Sequence, residues 1–294
     1  MSDDPRILMA QHAKTAELLG VDFLPLGQVP AGMVQSPVDT QAADQAPEPS
    51  RAIEPKAPAR HTKPSPPPAQ GSPDSSLVSI PAVSAQELQG AYTGESDAQA
   101  RLDALRAKYE LDAPHAHFNT PHNNIVFGEG DPQAQLMFIG EAPGEDEDRT
   151  GRPFVGRAGQ LLENMIKAMG VTREQVYITN VLKTRPPNNA TPTKEQARLC
   201  EPYLVEQVRI IEPKAIVTLG LSASQLILKS QSPMRTLRGH WHPWPTSPES
   251  EGLGEIEIMP TYHPAYLLRS YTEDNRRKVW SDLTQVIDKL GLKN

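Results

Sequence analysis

The chain has 294 residues, a formal net charge of −7 and a single cysteine, Cys200. One cysteine excludes an intrachain disulfide and any cysteine-rich zinc or iron–sulfur site; no apolar run reaches the length of about 18 residues that a membrane-spanning helix needs. The acidic N-terminus lacks a signal-peptide core, so a cytoplasmic protein without a membrane partner is expected.

The charge is unevenly spread. Residues 1–100 carry 6 Lys/Arg against 12 Asp/Glu, and residues 101–294 carry 23 against 24. The C-terminal part is therefore close to neutral and would bind nucleic acid through a local basic patch, with weak long-range steering.

In chain order, residues 1–23 form a short segment in which Ile7, Leu8, Leu18, Leu19 and Val21 give an amphipathic pattern. It reads either as a nascent helix or as a docking peptide for a protein partner. Residues 24–85 are rich in Pro, Ala and Ser, with PSPPPAQGSPDSS at 64–76 as the densest run. Such a segment buries too little apolar surface to offset its ordering entropy and is expected to be a disordered linker. Residues 86–294 remain as one domain with a single core.

A helix at 86–109 leads into that domain. Apolar runs predict strands at 135–139, 176–179, 214–219 and 256–260, and helical spacing predicts helices at 158–169, 193–211, 221–230 and 273–290. Thr191-Pro192-Thr193 supplies the capping signal of the 193–211 helix. The alternation implies a parallel sheet with helices on both faces, and functional loops gathered at the strands' carboxyl ends.

The loop from Gly140 to Gly159 follows the first strand and carries Glu141, Glu147 and the ring of Phe154. Carboxylates beside an aromatic plate suit a flat heterocycle; a phosphate cradle is excluded because neither phosphate-binding glycine pattern is present. Asn180 ends the second strand, where its amide can match the paired carbonyl and N–H of a pyrimidine edge or simply cap a turn. Lys183 and Arg185 lie in a proline-stiffened loop suited to a phosphate backbone, and His263 stands just beyond the fourth strand.

Together, GEAPGEDEDRTGRPFVGRAGQLL, ITNVLKTRPPNNATPT and YHPAYLLR resemble the uracil-DNA glycosylase superfamily, most closely its family 4 (type-4) enzymes, over about residues 100–290. The resemblance implies a three-layer α/β/α sandwich around a four-stranded parallel sheet. It also implies a monofunctional hydrolase of deoxyuridine in DNA that flips the base into a pocket. By matching positions, Phe154 would stack on uracil, Asn180 would read its edge, and Ala142 would line the pocket where other branches have Asp. His263 would stabilise the departing base, and Glu141 and Glu147 would share the handling of water and of the sugar's developing charge. Lys183, Arg185, Leu267, Leu268 and Arg269 would contact DNA, the leucines as a wedge. The partner is uracil-containing DNA, and a monomer is expected.

Family 4 enzymes usually hold a [4Fe–4S] cluster through four cysteines. The corresponding positions here are Ala113, Ala116, Thr184 and Cys200, so three thiolates are missing and no cofactor is expected. His115, His117 and His122 crowd the same segment without matching a familiar zinc spacing. A glycosylase of altered base preference and a silent DNA-binding scaffold stay open as alternatives. So does the role of the RGHWHPWP loop, with Trp241, His242 and Trp244, as DNA contact or packing.

Overall fold

The computed structural model describes residues 80–118, 121–245, 250 and 252–292. The segment expected at 1–23 and nearly all of the expected linker lie outside them. Six strands are present among the described residues: β1 (Glu129–Gly130), β2 (Leu136–Gly140), β3 (Tyr177–Asn180), β4 (Ala215–Leu219), β5 (His242–Pro243) and β6 (Glu257–Thr261). They form one sheet in the order β1-β3-β2-β4-β6-β5.

The four central strands are parallel and lie close to their predicted spans. β1 and β5 add antiparallel edges, so the sheet is mixed and wider than the four-stranded one expected. Two-residue strands carry no alternation to read, and tertiary pairing alone makes them strands. A Cβ at Gly130 would collide with the carbonyl oxygen of Val176, so glycine is what lets β1 approach β3.

Each central strand is apolar on both faces because both faces are covered. Met137, Ile139, Tyr177, Ile216 and Ile258 pack into one core layer with the helices Ala85–Tyr92, Ala98–Asp112 and Lys194–Ile211. Leu136, Phe138, Ile178, Val217 and Met259 pack into the other with Arg157–Ala168, Pro264–Arg269 and Glu273–Leu290. Three layers result, in agreement with the α/β/α architecture expected from the sequence.

Local signals account for the helix ends. Thr193 and Gln196 form a reciprocal cap at the start of Lys194–Ile211, with bonds of 3.2 and 2.9 Å. The single helix predicted at 86–109 is two, broken at Gly94, whose φ is +100°. Asp97 restarts the chain by accepting the Ala100 N–H at 2.9 Å.

The parallel register places Gly140 beside Asn180. The first turns beyond these strands stay paired, with Val181 N–H donating to the Gly140 carbonyl at 3.0 Å and Leu182 N–H to that of Glu141 at 3.1 Å. The loop after β2 and the turn after β3 are thus one joined surface.

Candidate active site

A cleft of about 1250 Å³ opens at the carboxyl ends of the strands, lined by Glu141, Ala142, Phe154, Asn180, His263 and Arg269 among others. Residues spread over more than a hundred positions of sequence meet there, as open parallel sheets direct.

The floor is tightly built. Asn180 is 1% exposed, and its Oδ1 is buried without a hydrogen-bond partner. A buried acceptor left open costs roughly 1–3 kcal/mol, which a ligand N–H would recover. Gly140 sits beneath it: a Cβ there would clash with Asn180 Oδ1 and lie 2.6 Å from Phe154 Cζ. Only a residue without a side chain lets the ring and the amide close together.

Phe154 adopts φ +50°, a left-handed conformation costly for an aromatic residue. Its surroundings hold it there. Arg173 donates to the Phe154 carbonyl at 3.2 Å and to that of Pro153, and is itself held by Glu129 at 2.8 Å. Glu147 accepts N–H bonds from Val155 at 2.8 Å and Gly156 at 3.0 Å through Oε1, and from Gly144 at 3.1 Å through Oε2. This carboxylate staples the loop from inside. Sequence reasoning missed Arg173, because its partners are carbonyls far away in the chain that no motif marks.

Glu141 differs. It is half-buried in the cleft, where burial raises its pKa above the usual carboxylate value, opposed by hydrogen bonds with Ser222 and Thr191. Across the cleft His263 caps the Pro264–Arg269 helix, its Nδ1 accepting the Ala265 N–H at 3.0 Å. Nε2 therefore carries the ring proton. Burial, with a smaller push from the positive charge of Arg269, lowers the His263 pKa to about 4, so the ring is neutral at ordinary pH. The rings of Phe154 and His263 lie with centroids 5.7 Å apart.

The rim departs from expectation in two places. Lys183 is fully buried, its ammonium bonded to Thr179, Asn180 and Gln207, so it leaves the set of DNA contacts. Leu267 is 3% exposed and belongs to the core, so it is no wedge. Its helix turns that position inward and leaves Tyr266 and Leu268 each 37% exposed, with Arg269 exposed beside them. Arg185 bonds Asn189 Oδ1 at 2.8 Å and faces Glu145 at 3.4 Å. Lys194 and Tyr266, not singled out in the sequence, also line the cleft.

The cluster positions do not fit an iron–sulfur cubane. Cys200 is fully buried, and burial pushes its thiol up to about 11. Tyr109 fills the space beside it, its hydroxyl 3.9 Å from Sγ and its ring against those of His115, Phe127 and Tyr203. One protonated thiol walled in by aromatic rings cannot ligate four irons. Among the described residues, no group of three or more His, Cys, Asp or Glu is arranged to hold a metal ion. The RGHWHPWP loop packs: Trp244 is 5% exposed, Trp241 lies under Lys289, and His242 Nε2 meets the Leu237 carbonyl at 2.9 Å.

The family model of the uracil DNA glycosylase superfamily matches residues 127–284. The chain is 44% identical over 168 residues to a type-4 uracil-DNA glycosylase of Thermotoga maritima, covering 57% of this chain and 82% of that protein. It is 45% identical over 174 residues to one of Sulfurisphaera tokodaii, covering 58% and 76%. Similarity to a type-5 uracil-DNA glycosylase of Pyrobaculum aerophilum is lower, 30% over 155 residues, covering 47% and 64%.

Proposed function

We propose that this chain, which belongs to the uracil DNA glycosylase superfamily, is a hydrolase that removes uracil from DNA in base-excision repair. The deoxyuridine is turned out of the strand into the cleft, because its glycosidic bond cannot be reached within the stack. The observation that carries this reading is the buried, unpartnered Oδ1 of Asn180, in the same cleft as Phe154 and His263. An acceptor for the N3–H, an aromatic plate for the ring and a donor for a developing oxyanion would together suit a base such as uracil.

In the reaction the C1′–N1 bond breaks, its electron pair moves onto the base, and positive charge develops on the sugar. Neutral His263 donates from Nε2 to the uracil oxygen as negative charge grows there; a donor of this kind contributes on the order of 10²–10³ in rate. Glu141 orients a water toward C1′ and receives its proton, which then passes to the released base. Glu147 has three N–H bonds to keep and serves instead to hold the Phe154 loop. Exposed Tyr266, Leu268 and Arg269 would support the opened strand.

The test is direct. Purified protein is incubated with a uracil-containing single strand, and abasic sites are then cleaved with alkali. Cleavage is expected with the wild type and should be strongly reduced, but still measurable over long single-turnover incubations, in Asn180→Ala. No cleavage with either would remove the enzyme reading and leave a DNA-binding scaffold.

A further inference from the structure

Lys183 is fully buried and takes no part in the chemistry above. Its ammonium donates to Thr179 Oγ1 at 2.8 Å, to the Asn180 carbonyl at 2.7 Å and to Gln207 Oε1 at 2.6 Å. In its protonated form the group has three N–H donors, and these three acceptors use them all. Two of the acceptors are braced in turn: the Thr179 hydroxyl donates to the Phe127 carbonyl at 2.8 Å, and Gln207 Nε2 donates to the same carbonyl at 2.9 Å. The Phe127 ring lies 5.5 Å from Nζ. None of the three partners is a carboxylate.

Burial among neutral acceptors lowers the Lys183 pKa to about 7, and an apolar side chain of the same length would fill the space at less cost. The ammonium does one thing a methyl group cannot. It ties the last peptide of β3 to the Lys194–Ile211 helix, which carries Gln207. That peptide belongs to Asn180, whose side chain lines the cleft. We propose that Lys183 is a positioning residue for base recognition, pinning the Asn180 backbone so that the amide meets the base in one fixed orientation. The inference rests on the function proposed above and deepens it: specificity at the cleft depends on a buried amine that never touches DNA.

A thermodynamic cycle tests it. Lys183→Met, Asn180→Ala and the double variant are compared for single-turnover uracil release, KM for DNA and thermal melting. Residues in one network are coupled, so Lys183→Met is expected to lower kcat about tenfold, with KM within about twofold, in the wild-type background. In the Asn180→Ala background the same change should alter kcat by less than about twofold, because the group it acts through is gone. Equal losses in both backgrounds, or a lower melting temperature with kcat of the folded protein unchanged, would overturn the inference while leaving the glycosylase reading intact. A wild type that releases no uracil would overturn both. Should Lys183→Met not fold, Gln207→Leu removes one of the three acceptors and is expected to give a smaller loss with the same background dependence; equal losses again overturn the inference.

Discussion

The floor and the rim of the cleft are built on opposite plans. On the floor, Gly140, Phe154 and Asn180 are held by buried partners: Arg173 and Glu147 lock the Phe154 loop, and Lys183 ties the end of β3. At the rim, Tyr266, Leu268 and Arg269 stand exposed on a six-residue helix. Preorganisation belongs where one small heterocycle must be told from others, since a loose hydrogen-bonding group discriminates poorly. Exposed side chains would suit a surface proposed to meet DNA of any sequence.

The comparison predicts where substitutions will cost most. Glu141→Gln removes the carboxylate proposed to orient the water and should lower kcat by about 10³ while leaving binding of uracil-containing DNA near normal, as steady-state kinetics and a binding titration would show. The acid limb of the wild-type rate profile should lie above the ordinary glutamate pKa, because burial raises that of Glu141, and activity should fall as pH drops through it. An acid limb that persists in Glu141→Gln would assign the titration elsewhere.

His263→Asn should lower kcat by roughly 10²-fold, the cost of losing one oriented donor. The same group ties stability to pH. Its folded pKa, about 4, lies below the usual value of 6.5, so the unfolded chain binds more protons between these values. Wild-type melting temperature should therefore decline as pH falls from about 6.5 to 4 more steeply than that of His263→Asn.

Glu147→Gln tests the stapling role. One of the three N–H bonds loses its acceptor, and a charge-assisted interaction becomes a neutral one, so a loss of about 1–3 kcal/mol in stability is expected, with a fall in uracil affinity. Calorimetry and a binding assay with free uracil would check the two together. If melting is unchanged and only kcat falls, Glu147 belongs with Glu141 in the chemistry.

The smallest effect is expected at the rim. Leu268→Ala should raise KM for duplex DNA several-fold, in keeping with a wedge contribution of about 1 kcal/mol, and leave single-strand activity unchanged. Leu267→Ala should instead lower stability by about 2–5 kcal/mol, because that side chain is core. A matched effect of the two on duplex KM would break the distinction between them.

Much of the fold was legible in the sequence because it depends on local pattern. Apolar runs marked β2, β3, β4 and β6, Thr193 marked a helix start, and linked motifs carried Glu141, Phe154, Asn180 and His263 to one site. What the chain alone could not decide was direction and partnership. Lys183 reads as a DNA contact because it lies in a basic, proline-stiffened loop, yet the turn after β3 points it at Gln207, 24 positions later. Leu267 and Leu268 are adjacent and chemically alike, and only the packing of a short helix sends one inward. Glu141 and Glu147 look equivalent along the loop, but three backbone N–H groups gather around one of them. Composition and periodicity determine the four central strands and most of the helices; the edge strands and the division of labour within the site depend on contacts between distant segments, and those exist only once the sheet has closed.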